Sequence, residues 1–123
     1  MIKAIFLVGV GGGLGSIFRY LTTIFVHKHF ETIFPLATFV VNILGCLIIG
    51  SLFGLSERFQ WMSYELKLLF VTGFCGGYTT FSAFASENMN LFQSGNFTTA
   101  FFYISTSILL GILAVWTGFM LTK

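Results

Sequence analysis

Four long apolar stretches, separated by three short polar connections, make up nearly the whole chain. They run roughly over residues 3–26, 34–55, 66–91 and 98–121. A membrane-spanning helix needs about 20 mainly apolar residues, because the hydrocarbon layer is about 30 Å thick. Each stretch meets that length. The pattern predicts an all-α membrane protein, a single four-helix transmembrane domain over residues 1–123. The connections, His27 to Ile33, Ser56 to Glu65 and Phe92 to Phe97, are too short to be domains. Pro35 suits the first turn of the second helix, where a missing amide hydrogen matters little. No tandem repeat is visible.

The third stretch departs from this pattern. Residues 73–84 read Gly-Phe-Cys-Gly-Gly-Tyr-Thr-Thr-Phe-Ser-Ala-Phe. Gly76, Gly77, Thr79 and Thr80 hold a helix together poorly, because glycine and β-branched residues weaken it. The flanks are still apolar enough to lie in a bilayer. Irregular backbone at membrane depth is tolerated only where protein buries it or it lines a watery cavity. A broken third helix therefore predicts an ion or solute path, not a plain anchor.

Composition agrees with the membrane reading. The chain is 56% hydrophobic and 8% charged, against roughly 25% charged in soluble domains. A domain of this size cannot hide so much apolar surface in one core. A net charge of +2 without a basic run excludes nucleic-acid binding. Cys46 and Cys75 lie in apolar segments without a Cys-x-x-Cys pair or a nearby histidine, so they read as small buried hydrophobes. Lys3 before an apolar run resembles a signal peptide, but no clean cleavage site follows, and a retained helix is expected. Lys3, Arg58, Lys67 and Lys123 fall on one side of the membrane, and Lys28 on the other with Arg19 toward it. The bias favours cytoplasmic termini but is small enough to permit both orientations. Two oppositely inserted copies could then pair. Four helices alone are few to enclose a polar path, so an oligomer is expected.

Polar and small residues inside the spans are the candidate machinery. Gly9/Gly13 and Gly11/Gly15 are small-xxx-small pairs suited to close helix packing; a dinucleotide loop is not supported. Arg19 is charged within a span, either functional or snorkelling to the interface. Asn42 is central in the second helix with Thr38 one turn before it, as helix glue or as a donor to a permeant species. Tyr103 and Ser107 share a face of the fourth helix, with Gly111 a turn further. Of the carboxylates, Glu31, Glu57 and Glu65 sit in loops or at ends, and Glu87 near the end of the third helix. With no deep carboxylate on the stripe, an anion or neutral solute is favoured over a cation. Phe81 and Phe84, three apart past the glycines, are either ordinary packing or ring edges with partial positive charge for an anion. His27 and His29 read as solvated loop residues, and Asn96-Phe97-Thr98 as a sequon pattern of little weight.

Three motifs together resemble the CrcB/Fluc fluoride channels over essentially the whole chain. They are Gly12-x-x-Gly15-x-x-x-Arg19-Tyr20, Ala37-Thr38-Phe39-x-Val41-Asn42-x-x-Gly45, and the segment Gly73 to Phe84. The third is the specific one. The resemblance implies a passive fluoride channel, not an enzyme, in the cell inner membrane or plasma membrane. It implies an antiparallel dual-topology homodimer with two pores. Phe81, Phe84 and Asn42 would line each pore, Thr38, Tyr103 and Ser107 would continue a polar track, and Arg19 would sit near a vestibule. A structural sodium ion would be held at the dimer axis by the backbone carbonyls of Gly76 and Thr79 from both subunits. Gly111 departs from the pattern, since related chains can carry a hydroxyl there. The alternatives are a small multidrug-type transporter, which would want a carboxylate in the first helix, and a noncatalytic membrane assembly subunit.

Overall fold

A computed structural model describes residues 1–123. The chain is all-helical, with four spans long and apolar enough to cross a membrane. The first is α1, Ile2–His29, and the second α2, Leu36–Phe59. The third begins with α3, made of a turn Tyr64–Leu66, a π-helical run Lys67–Cys75 and a turn Gly76–Tyr78. Thr79 and Thr80 are extended, and α4, Phe81–Gln93, completes the span. The last is α5, Phe97–Thr122. Ser63 starts α3 by accepting the Leu66 N–H, and Thr80 starts α4 by accepting the Ala83 N–H. Gly95, with φ +79°, makes the turn into α5.

The helices outrun the stretches expected from hydropathy, and two consequences follow. His27, Lys28 and His29 form the last turn of α1 instead of a loop. Glu57 and Arg58 likewise sit on α2, and Pro35 caps that helix from just outside it. Cations at a helix C-terminus face the negative end of its dipole, so the polar residues continue the helix. His29 Nδ1 also lies 2.9 Å from the Phe25 carbonyl oxygen.

Glycines set the packing. On α1, a Cβ at Gly11 would strike the Leu69 carbonyl and one at Gly15 the Phe74 carbonyl. Gly73 and Gly77 answer from α3, against Gly11 and Gly12. Gly9 and Gly13 meet nothing within 4 Å, so that pair does not pack inside the chain. On the other side, Gly50, Gly54 and Gly118 let α2 and α5 approach to backbone contact. Van der Waals contact drives such association in lipid, where there is no hydrophobic effect between helices.

Only 18 of 123 residues are buried, and the largest fully buried side chains are Tyr103 and Val41. Phe6, Phe18, Leu109, Ile112 and Trp116 are all more than half exposed. Hydrocarbon solvates such surfaces without cost. The buried cluster of Leu91, Ala100 and Tyr103, with Phe34, Phe39 and Phe84 against it, lies where α2, α4 and α5 meet.

Candidate functional site

The site is organised around the two extended residues of the third span. Thr79 still bonds its N–H back to the Cys75 carbonyl at 3.0 Å, but Thr80 makes no such helical bond and its backbone polar groups need other partners. Asn42, in mid-α2, supplies them. Its Oδ1 accepts the Thr80 N–H at 2.8 Å, and its Nδ2 donates to the Thr80 carbonyl at 3.0 Å. In a continuous α-helix the Thr80 N–H would instead bond the Gly76 carbonyl, so the clamp diverts that donor from it. The Thr79 hydroxyl bonds back to the Cys75 carbonyl at 2.8 Å, and the Thr79 carbonyl accepts from Arg19 Nη1 at 3.4 Å. Arg19 is thus tied to the interruption. The Tyr78 hydroxyl pairs with Thr22 at 3.0 Å and holds α1 to the same segment.

A cavity of about 450 Å³ lies beside this clamp, lined by Asn42, Gly76, Thr79, Phe81, Phe84 and Ser107 among others. The Phe81 and Phe84 centroids are 5.8 Å apart, their planes at 43°. Phe84 meets Tyr103 edge-on at 4.9 Å, while Phe81 is 78% exposed. The Ser107 hydroxyl is buried without any hydrogen-bond partner. That is unusual, because a buried hydroxyl left unbonded costs about 1–3 kcal/mol. One hydrogen of the Asn42 amide also stays free after the clamp is made, since the NH₂ group has two donors.

Thr38 and Tyr103 do not face this cavity directly. Both donate to one carboxylate: Thr38 Oγ1 to Glu87 Oε2 at 2.7 Å, and the Tyr103 hydroxyl to Glu87 Oε1 at 2.8 Å. The expectation that no carboxylate accompanies the polar stripe is therefore corrected. Counted from the end of the hydropathic stretch, Glu87 looks peripheral. Because α4 starts afresh at Phe81, Glu87 lies in its middle, facing α2 and α5. One signal could have found it: Glu87 stands three residues after Phe84, on the same helix face.

Glu87 also joins two further cavities. One, of about 700 Å³, is lined by Arg19, Thr38, Thr80, Ser82 and Ser86 with Glu87. The other, of about 400 Å³, is lined by His27, Thr32, Asn90, Ser94 and Asn96 with Glu87. The predicted residues thus divide into two groups. Asn42, Phe81, Phe84, Ser107, Gly76 and Thr79 share the first cavity, and Arg19 and Thr38 the second. Tyr103, fully buried, bridges the groups through Phe84 and Glu87. Gly111 leaves room: a Cβ there would lie 3.6 Å from Cys46 Sγ, an ordinary contact.

No group of three His, Cys, Asp or Glu side chains is placed to hold a metal ion. The carbonyl oxygens of Gly76 and Thr79 are a different kind of donor. They are hard, neutral oxygens at an irregular backbone, and Gly76 is exposed on the cavity side. Oxygens of this type suit a hard cation.

The family model for CrcB-like protein, Camphor Resistance (CrcB), matches residues 6–119. The chain is 54% identical over 121 residues to the fluoride-specific ion channel FluC of Flavobacterium psychrophilum, covering 98% of both. It is 49% identical to the protein of the same name from Azobacteroides pseudotrichonymphae, over all of this chain and 98% of that one. It is 46% identical to that from Bacteroides fragilis, over 94% of this chain and 93% of the relative.

Proposed function

The chain belongs to the CrcB-like family, and from that premise we propose that it is a fluoride-specific ion channel, a multi-pass membrane protein through which fluoride leaves the cytoplasm passively. The observation that carries the reading at this site is the unpartnered hydroxyl of Ser107, buried in the cavity with Phe81, Phe84 and Asn42. A buried donor without an acceptor is a ready partner for a small anion. The free Asn42 N–H and the electropositive ring edges of Phe81 and Phe84 add weak donors around it. None carries a full positive charge, so an anion is stabilised enough to enter and not enough to be trapped. The membrane potential then drives the anion outward.

Beyond this cavity the path continues toward Thr38 and Tyr103. Their hydroxyls are held by Glu87, so an anion there competes with a carboxylate for the same two donors. Arg19 offsets that negative charge from the adjoining cavity. A proton-coupled exporter would share a membrane-embedded carboxylate, but both oxygens of Glu87 are already taken by hydroxyl donors.

The pore is completed by a second copy in the opposite orientation. The first cavity lies open beside the apolar outer faces, and the small charge bias suits insertion both ways. Gly76 and Thr79 carbonyls from two copies would then surround a structural sodium ion, whose charge favours anions nearby. The membrane is the cell inner membrane or plasma membrane, and no catalysis is involved.

Fluoride efflux from liposomes holding the purified protein, followed with a fluoride electrode, tests the reading. Efflux well above that of empty liposomes is expected, and equal rates would refute it. Ser107→Ala removes one donor and is expected to slow efflux about tenfold, the equivalent of one hydrogen bond.

A further inference from the structure

The donors around the first cavity stand in two rows, and one row has a gap. On α5, Tyr103, Ser107 and Gly111 follow one another at four-residue spacing on one face. The Tyr103 hydroxyl is held by Glu87 and the Ser107 hydroxyl is unpartnered, but the buried Gly111 brings no side chain. On α2, Asn42 and Cys46 have the same spacing, and both line the cavity together with Ser107. The two rows meet one turn beyond Asn42 and Ser107. A Cβ built on Gly111 would meet Cys46 Sγ at 3.6 Å. The sulfur thus fills, from α2, the side of the row that Gly111 leaves bare.

By itself the thiol would be an ordinary wall atom. The unbonded Ser107 hydroxyl one turn back along α5 marks this wall as a path for a species that accepts hydrogen bonds. A thiol is a donor of a particular kind: its S–H bonds weakly and carries no charge. A serine hydroxyl on a helix can turn back onto its own i−4 carbonyl, as Ser51 does to Leu47 at 2.8 Å. Sulfur holds such a bond poorly, so its hydrogen stays free for a passing ion. Cys46 is half-buried and in no disulfide. One helical turn is about 5.4 Å, so an anion released by Asn42 and Ser107 reaches the thiol in a single short step. Weak stops at close spacing are what conduction needs, since each must release what it binds.

From this we infer that Cys46 is a contact residue of the anion path, its S–H supplying the donor that Gly111 does not, next in line after Asn42 and Ser107. The inference rests on the fluoride-channel reading and adds a residue to it. Positions 46 and 111 then act as one: a short donor on either helix serves the same stretch of the cavity.

Fluoride efflux from liposomes holding the full-length protein tests this, with each rate scaled to the folded fraction measured by gel filtration. Cys46→Val keeps a similar volume and removes the donor, and Cys46→Ala removes both. Each is expected to slow efflux about threefold, less than Ser107→Ala does, because a thiol is the weaker donor. Cys46→Ser keeps a donor and is expected to stay within about twofold of the unsubstituted chain. Cys46→Ala/Gly111→Ser moves the donor from α2 to α5 and is expected to regain the unsubstituted rate. Unslowed efflux in Cys46→Val overturns the inference, since filling the space is then enough. So does a Cys46→Ser rate as low as that of Cys46→Val, because a donor then makes no difference. A double variant no faster than Cys46→Ala overturns the shared place at 46 and 111. No efflux from the unsubstituted chain sinks the channel reading and this inference with it, whereas efflux there with an unaffected Cys46→Val sinks this inference alone.

Discussion

At the scale of single residues, Asn42 and Ser107 are opposites. Asn42 spends its amide on the backbone of Thr80 through two hydrogen bonds. Asn42→Leu orphans a backbone N–H and a carbonyl together. It is expected to destabilise the detergent-solubilised protein by about 2–4 kcal/mol in denaturant titration, since each buried orphan costs about 1–3 kcal/mol. Ser107 bonds to nothing. Ser107→Ala should leave stability unchanged or slightly raised, so its slower fluoride efflux reports on transport and not on folding. Tyr103→Phe is the contrasting case. It takes a donor from the Glu87 carboxylate, and a loss of about 1–3 kcal/mol is expected in the same titration. A neutral Tyr103→Phe would mean that water replaces the hydroxyl.

At the scale of elements, close approach of α1 and α3 is what presents Arg19 and Tyr78 to the interruption. Gly15→Ala drives a methyl into the Phe74 carbonyl. It is expected to cost about 1–3 kcal/mol, as overpacking does, and to reduce efflux by moving Arg19 away from Thr79. Gly13→Ala meets open space and should gain up to about 1 kcal/mol from helix propensity. Melting temperatures of the two variants make the comparison. A penalty at Gly13 equal to that at Gly15 would mean that α1 carries a second packed face against a partner. Both glycine pairs have the same spacing, and spacing alone does not tell which one faces α3.

At the scale of the whole molecule, the chain buries only 18 of its 123 residues and leaves many large apolar side chains exposed, and its first cavity lies open at the side. Two antiparallel copies would close that cavity and bring four carbonyls to the axis. In a Cys46→Ser/Cys75→Ser background, Lys123→Cys should then be labelled by impermeant reagents from both faces of the membrane to similar extents. Labelling from one face alone would contradict insertion in both orientations.

How much of this was legible in the sequence depends on the range of the physics involved. Hydropathy is a sum over neighbours in the chain, so the four spans, the membrane setting and the weak helix propensity of Gly76 to Thr80 were decided locally. So was the pairing of Phe81 and Phe84, because residues three apart share a helix face. The helix ends were misjudged where polar residues continue a helix into water, as at His27 to His29. The partners of Asn42, the unsatisfied state of Ser107 and the two hydroxyls that meet Glu87 could not be read from spacing. Each depends on which faces of α2, α4 and α5 turn toward one another, and that follows from the extended turn at Thr79 and Thr80 and from backbone contact at Gly50, Gly54 and Gly118. The sequence alone determined what crosses the membrane and which polar residues are immersed in it. Only the tertiary structure decided which of them are consumed by each other, and hence which donor is left over for an anion.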